Sequence, residues 1–131
     1  MDGAETTEHA MIEILPQSHD ATVGVRASGL LTDADYKQTL IPLLEKTIAE
    51  HGRARLLVEI ADTFGGWEMA AAWDDVAFGF THRADFGKIA MVGGPQWIAW
   101  SAKLFAPFIA GEMRTFPAGQ SLRAWDWIDT A

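Results

Sequence analysis

Few residues of this chain belong to the types that perform chemistry, and their spacing decides what they can do. The four histidines are His9, His19, His51 and His82. None stands in an H-x-x-x-H or H-E-x-x-H pattern, so the sequence predicts no metal site. His82 follows Asp75 by one heptad, which on a helix places both on nearly one face but about 10 Å apart along the axis, beyond a direct hydrogen bond. Asp74 and Asp75 are neighbours; on a helix they diverge by about 100° and read as a solvated face rather than an acid/base pair. Ser18, Ser28, Ser101 and Ser121 lie outside any G-x-S-x-G nucleophile motif. The chain has no cysteine, which removes thiolate ligands, disulfides and thiol nucleophiles and fits a reducing compartment. Gly93-Gly94-Pro95 opens a helix after a strand, a place where backbone N–H groups can cradle an anion. Without G-x-G-x-x-G or a Walker lysine it reads as a tight turn. The polar residues that remain as a candidate site are Glu59, Thr63 and His82. An enzyme acting through Glu59 or His82 is one reading; the absence of any catalytic motif favours a non-catalytic chain with no cofactor.

The stretch from Ile60 to Trp100 must position these residues. It reads as the end of a buried strand, a Gly-Gly loop, an aromatic helix from about Trp67 to His82, a second buried strand and a further aromatic helix opened by Pro95. The first helix carries Met69, Trp73, Val76, Ala77 and Phe80 on its inward stripe. The second, Gln96 to about Ala106, is apolar nearly all round, more than a helix lying on a sheet needs. Trp67, Trp73, Phe78, Trp97, Trp100, Phe105 and Phe108 therefore form the candidate surface for a partner or an apolar ligand.

Around this unit the remaining elements follow from periodicity. Met11 to Leu15 alternates, with Ile12 and Ile14 on one side, and Thr22 to Ser28 alternates after a Pro16–Asp20 turn, so the two predict an antiparallel hairpin. Thr32 and Asp35 have capping-box spacing, and Tyr36, Leu40, Leu43, Leu44 and Ile48 recur as a helical stripe up to Gly52. Pro42 inside that helix predicts a kink near Gln38 or a break into two short helices. Leu56 to Ile60 and Lys88 to Val92 are short apolar runs, the first suited to a central strand covered on both faces. The helix-bearing connections between strands predict parallel pairing with right-handed crossovers. Glu59 interrupts its run, so it belongs either at the solvated end of the sheet or beside a partner. Glu112 to Phe116 predicts an edge strand, and Gln120 to Asp129 a last helix with Leu122, Trp125 and Ile128 inward and Trp127 pointing elsewhere.

At 131 residues the chain is one domain of ordinary size. Residues 1–10 read as a disordered lead-in and 11–131 as the domain; the first ten lack the basic and apolar regions of a signal peptide. No apolar run reaches the length of a membrane span. The net charge of −8, without a basic cluster, argues against nucleic acid. A cytoplasmic protein is expected.

Gly29-Leu30-Leu31-Thr32 with Asp35-Tyr36, Ile41-Pro42-Leu43-Leu44, Leu56-Leu57-Val58-Glu59, Phe64 with Gly66-Trp67, Ala72-Trp73 with Asp75, Phe80 with His82, Ile89-Ala90 with Val92-Gly93, Trp97, Pro107-Phe108 and Trp125 occur in one order along residues 11 to 129. This set resembles the SpoIIAA-like proteins of bacteria, a STAS-related group usually described as functionally uncharacterised. The resemblance implies an α/β fold: a mixed five-stranded sheet with about four helices packed against it, shared with anti-sigma-factor antagonists and CRAL-TRIO lipid-binding domains. Antagonists of that type carry a phosphorylatable serine in an Asp-Ser-Ser-Gly turn. Here the comparable loop is Asp62-Thr63-Phe64-Gly65-Gly66, without a serine, and Gly94 stands where the closer family often has an acid. The expected function is a protein-interaction or regulatory module lacking that switch, with a protein partner or a homodimer. The alternative is a small carrier of an apolar ligand or lipid.

Overall fold

The computed structural model describes residues 12–62, 64–67, 81, 84–94 and 111–130, with only the backbone of Gly66 and Trp67. Five strands form one sheet in the order β1-β2-β4-β6-β7: β1 Ile12–Ile14, β2 Thr22–Ala27, β4 Ala54–Ile60, β6 Phe86–Gly93 and β7 Glu112–Phe116. β1 and β2 are the expected antiparallel hairpin, and β2, β4, β6 and β7 run parallel to one another. The sheet is therefore mixed, with β4 central and β7 at the edge.

The register sorts side chains into two faces. Val25, Val58, Met91 and Thr115 are aligned across the sheet on one face, and Gly24, Leu57, Ala90 and Arg114 on the other. The first face carries the larger apolar cluster, in which Val23, Val25, Ala27, Ile60 and Ile89 meet Tyr36, Leu40 and Leu44. Leu15, Leu57, Ala90, Val92 and Phe116 make a second cluster with Ala124, Trp125 and Ile128. Both faces of β4 are thus covered, as its nearly unbroken apolar sequence requires.

The first face is covered by a composite helix: α1 Asp33–Asp35, a π segment Tyr36–Leu40 and α2 Ile41–His51. Thr32 caps it through a capping box. Its Oγ1 accepts from the Asp35 N–H at 3.2 Å while Asp35 Oδ2 accepts from the Thr32 N–H at 2.8 Å. The disturbance expected from Pro42, a kink near Gln38 or a break into two short helices, takes the form of the π segment around Gln38. The helix widens there, with the Ile41 N–H donating to Tyr36 O five residues back, and the wider turn relieves the proline ring of its clash with the preceding carbonyls. Gly52 caps the far end.

The second face is covered by α3, Ser121–Ile128. Its buried residues are Ala124, Trp125 and Ile128, whereas Leu122, expected inward, is 81% exposed. Residues 124, 125 and 128 follow one helical stripe, and Leu122 lies off it. Ile14 also departs from expectation: it shares its side of β1 with Ile12, yet it is half-exposed where Ile12 is buried. Two further short strands, β3 Leu30–Leu31 and β5 Gly66–Trp67, pair in parallel beside the main sheet. Trp67 thus lies in a strand and not in the first turn of a helix. Of the remainder of the helix expected to His82 only Thr81 is described, and it is helical; the rest, and the helix expected from Gln96 to Ala106, lie outside the described residues.

Candidate functional site

In open α/β sheets ligands bind beyond the carboxyl ends of the parallel strands, and in this sheet that rim is built from tight main-chain contacts. The Ala61 N–H donates to Ala27 O at 2.9 Å, the Phe64 N–H to Ala61 O at 3.0 Å and the Gly65 N–H to Gly29 O at 2.6 Å. Gly93 and Gly94 have φ of 80° and 87°, a region that strains other residues. A Cβ on Gly93 would also stand 3.2 Å from Ile60 O. Glu59, the penultimate residue of β4, lies on this rim. Its Oε1 is 3.7 Å from Arg26 Nη1, and its side chain is 17% exposed. Glu13, Arg26 and Glu59 are aligned across β1, β2 and β4, a row of alternating charge on one face. Glu59 is therefore both an end-of-strand acid and a partnered one.

At the opposite rim Lys88, Arg55 and His19 converge on the C-terminus of α3. Lys88 is only 6% exposed, and its Nζ donates to Trp127 O at 2.9 Å, to Thr130 O at 2.8 Å and to the Thr130 hydroxyl. Three donors meet three acceptors, so the buried ammonium is satisfied with no donor left for a substrate. Its Nζ also lies 5.0 Å from the centroid of the Trp127 ring, and the Arg114 guanidinium lies 5.1 Å from it, both within cation–π range. Arg55 Nη1 donates to Ile128 O and, at 2.9 Å, to Thr130 O. The last carbonyls of a helix lack intrahelical donors and carry the negative end of its dipole. Lys88 and Arg55 supply both the donors and the charge.

The third side chain comes from the β1–β2 turn. His19 Nε2 is 2.9 Å from Asp129 Oδ1 and its Nδ1 is 2.7 Å from Gln17 O. The ring centroid lies 6.4 Å from that of Trp125, tilted by 35°. The Gln17 carbonyl, followed by Asp129 and Asp20, raises the His19 pKa above its usual 6.5 against an opposing contribution from desolvation. Because both partners are about half exposed, the pair contributes at most about 1 kcal/mol. The main attachment of α3 is the burial of Trp125 and Ile128, each stabilising by about 1.5–3 kcal/mol. Trp125 fits because Gly24 beneath it has no side chain: a Cβ there would lie 2.4 Å from Trp125 Cη2. The buried Trp125 Nε1–H has no hydrogen-bond partner among the described residues.

Of the residues singled out in the sequence, the structure places Glu59 on the carboxyl rim and the Trp67 backbone in β5. Thr63 and His82, and Trp73, Phe78, Trp97, Trp100, Phe105 and Phe108, lie outside the described residues. Sequence reasoning missed Lys88, Arg55 and His19. A lysine within an apolar strand was the available signal for Lys88, but its partners are main-chain carbonyls some forty residues away, which no side-chain motif announces. Among the described residues no group of three or more potential metal ligands occurs, and no helix is long and apolar enough to cross a membrane.

The SpoIIAA-like family model matches residues 22–129. Among solved structures, the chain is similar to an uncharacterised protein of the DUF3478 family with a SpoIIAA-like fold from Shewanella loihica PV-4. The two are 31% identical, the match covers 89% of this chain and 91% of the other, and the TM-score is 0.68. No match is found among curated proteins.

Proposed function

The chain belongs to the SpoIIAA-like family, and from that premise we propose that it is a non-catalytic interaction module that recognises a protein partner, a second copy included. The observation that supports this reading is the use made of the charged groups on the second sheet face. Lys88 and Arg55 hold the end of a helix, Glu59 is partnered by Arg26, and His19 by Asp129. These groups serve architecture, which leaves recognition to the surface. The aromatic stretch around Trp67, Trp97 and Trp100 is the part of the sequence best suited to it. The loop after β4 carries no serine, so this module works without the phosphorylatable serine of anti-sigma-factor antagonists.

Sedimentation velocity over a concentration series, on the wild type and on a Trp97→Ser/Trp100→Ser variant, tests the self-association arm. The reading expects a concentration-dependent rise in sedimentation coefficient for the wild type and its loss in a variant that retains the wild-type circular dichroism. A wild type that stays monomeric throughout removes the second copy as partner.

A further inference from the structure

We propose that His19 and Asp129 form a pH-sensitive latch between the β1–β2 turn and the end of α3, closed when the imidazole is doubly protonated. A neutral imidazole has one N–H and one bare nitrogen, yet both ring nitrogens of His19 face acceptors: the Gln17 carbonyl at 2.7 Å and the Asp129 carboxylate at 2.9 Å. Only the imidazolium donates to both at once. Loss of the Nε2 proton breaks the bond to Asp129, and loss of the Nδ1 proton breaks the bond to Gln17 within the turn and leaves a neutral N–H donating to Asp129; either way the turn and the helix end lose their charge-assisted attachment.

The charges around the ring agree with this assignment. Asp129 faces it from the end of α3 and Asp20 from its own turn, both favouring the cation. The cations in the neighbourhood are turned aside. Arg55 on β4 binds the carbonyls of Ile128 and Thr130 on either side of Asp129, and Lys88 on β6 binds those of Trp127 and Thr130. The carboxylate of Asp129 is thereby left to the histidine. The ring also lies against Trp125, which packs on Gly24 and within the second apolar cluster. The latch therefore acts on the helix that covers Leu57, Ala90, Val92 and Phe116, and its release loosens the cover over an apolar sheet face.

The sign follows from linkage. A histidine with a raised pKa in the closed state stabilises that state fully below the pKa of the open state, and the contribution is lost as pH rises through the closed-state value. Amide hydrogen exchange of residues 121–130, corrected for the intrinsic pH dependence, reads the opening directly. NMR titration of the His19 ring reads its pKa and protonation. The expected result is a His19 pKa above 6.5 and a fall in protection of α3 through that pKa. The factor of the fall equals the ratio of the ring's proton affinities in the closed and open states. His19→Gln, which keeps a neutral side chain there, should abolish the pH dependence, and His51→Gln should leave it intact. A His19 pKa at or below 6.5, or protection that falls equally in His19→Gln, would overturn the latch.

Discussion

Gly24→Ala is the substitution whose effect depends most sharply on how α3 is seated. The backbone at Gly24 is not in the positive-φ region, so alanine is allowed there by conformation. In a strand it should gain about 0.5–1 kcal/mol over glycine from reduced chain entropy. Against this, the new Cβ would stand 2.4 Å from Cη2 and 2.5 Å from Cζ2 of Trp125, with Leu15 Cβ at 3.5 Å on another side. Ordinary contact begins near 3.4 Å, so the indole has to retreat by about 1 Å within a packed layer, and overpacking of this kind costs about 1–3 kcal/mol. The expected net effect is destabilisation by about 1–2 kcal/mol, read by urea unfolding at unchanged m-value. In a Trp125→Leu background, which is itself less stable, the same Gly24→Ala change should become neutral or stabilising, a coupling of at least about 1 kcal/mol. A Gly24→Ala protein as stable as the wild type, or a double mutant with additive losses, would refute the packing of Trp125 on β2.

Other consequences follow from the same contacts. Lys88→Met keeps the apolar stem but removes the ammonium's hydrogen bonds to the Trp127 and Thr130 carbonyls and the Thr130 hydroxyl, leaving Thr130 O to Arg55 and Trp127 O to Thr130, and should destabilise the protein by about 1–3 kcal/mol in chemical denaturation. Thr32→Ala removes the capping box and should cost about 0.5–2 kcal/mol by the same measurement. Gly93→Ala combines positive φ with a close approach to Ile60 O; a loss of about 1–3 kcal/mol is expected, and full stability would show that the rim of β6 can relax.

The sheet was legible because its strands carry their burial in their composition. The apolar run ending at Ile60 and the one ending at Val92 are parallel interior strands, and the alternation at Thr22–Ala27 marks a strand beside them. The capping box at Thr32 was legible because it is local. Pro42 announced a disturbance but not its form, since a π turn and a kink relieve the same clash. Leu122 misled because a hydrophobic residue in an eight-residue helix can fall on either side of a stripe set by Trp125 and Ile128. Lys88 and Arg55 were not legible as helix caps, because they act across the fold on main-chain oxygens that have no sequence signature. His19 was read as a turn residue, which it is. Its partner Asp129 lies at the other end of the chain, and only the fold brings the two together. Thr63, His82 and most of the aromatic surface, from Trp73 to Phe108, lie outside the described residues, and their roles rest on the sequence.

Native mass spectrometry of freshly purified protein tests the central claim, that this SpoIIAA-like chain acts by binding protein rather than by carrying a small molecule. The account predicts bare polypeptide masses, singly or in multiples, unchanged when the sample is denatured. A stoichiometric adduct of lipid-like mass that disappears on denaturation would contradict it and make the protein a carrier.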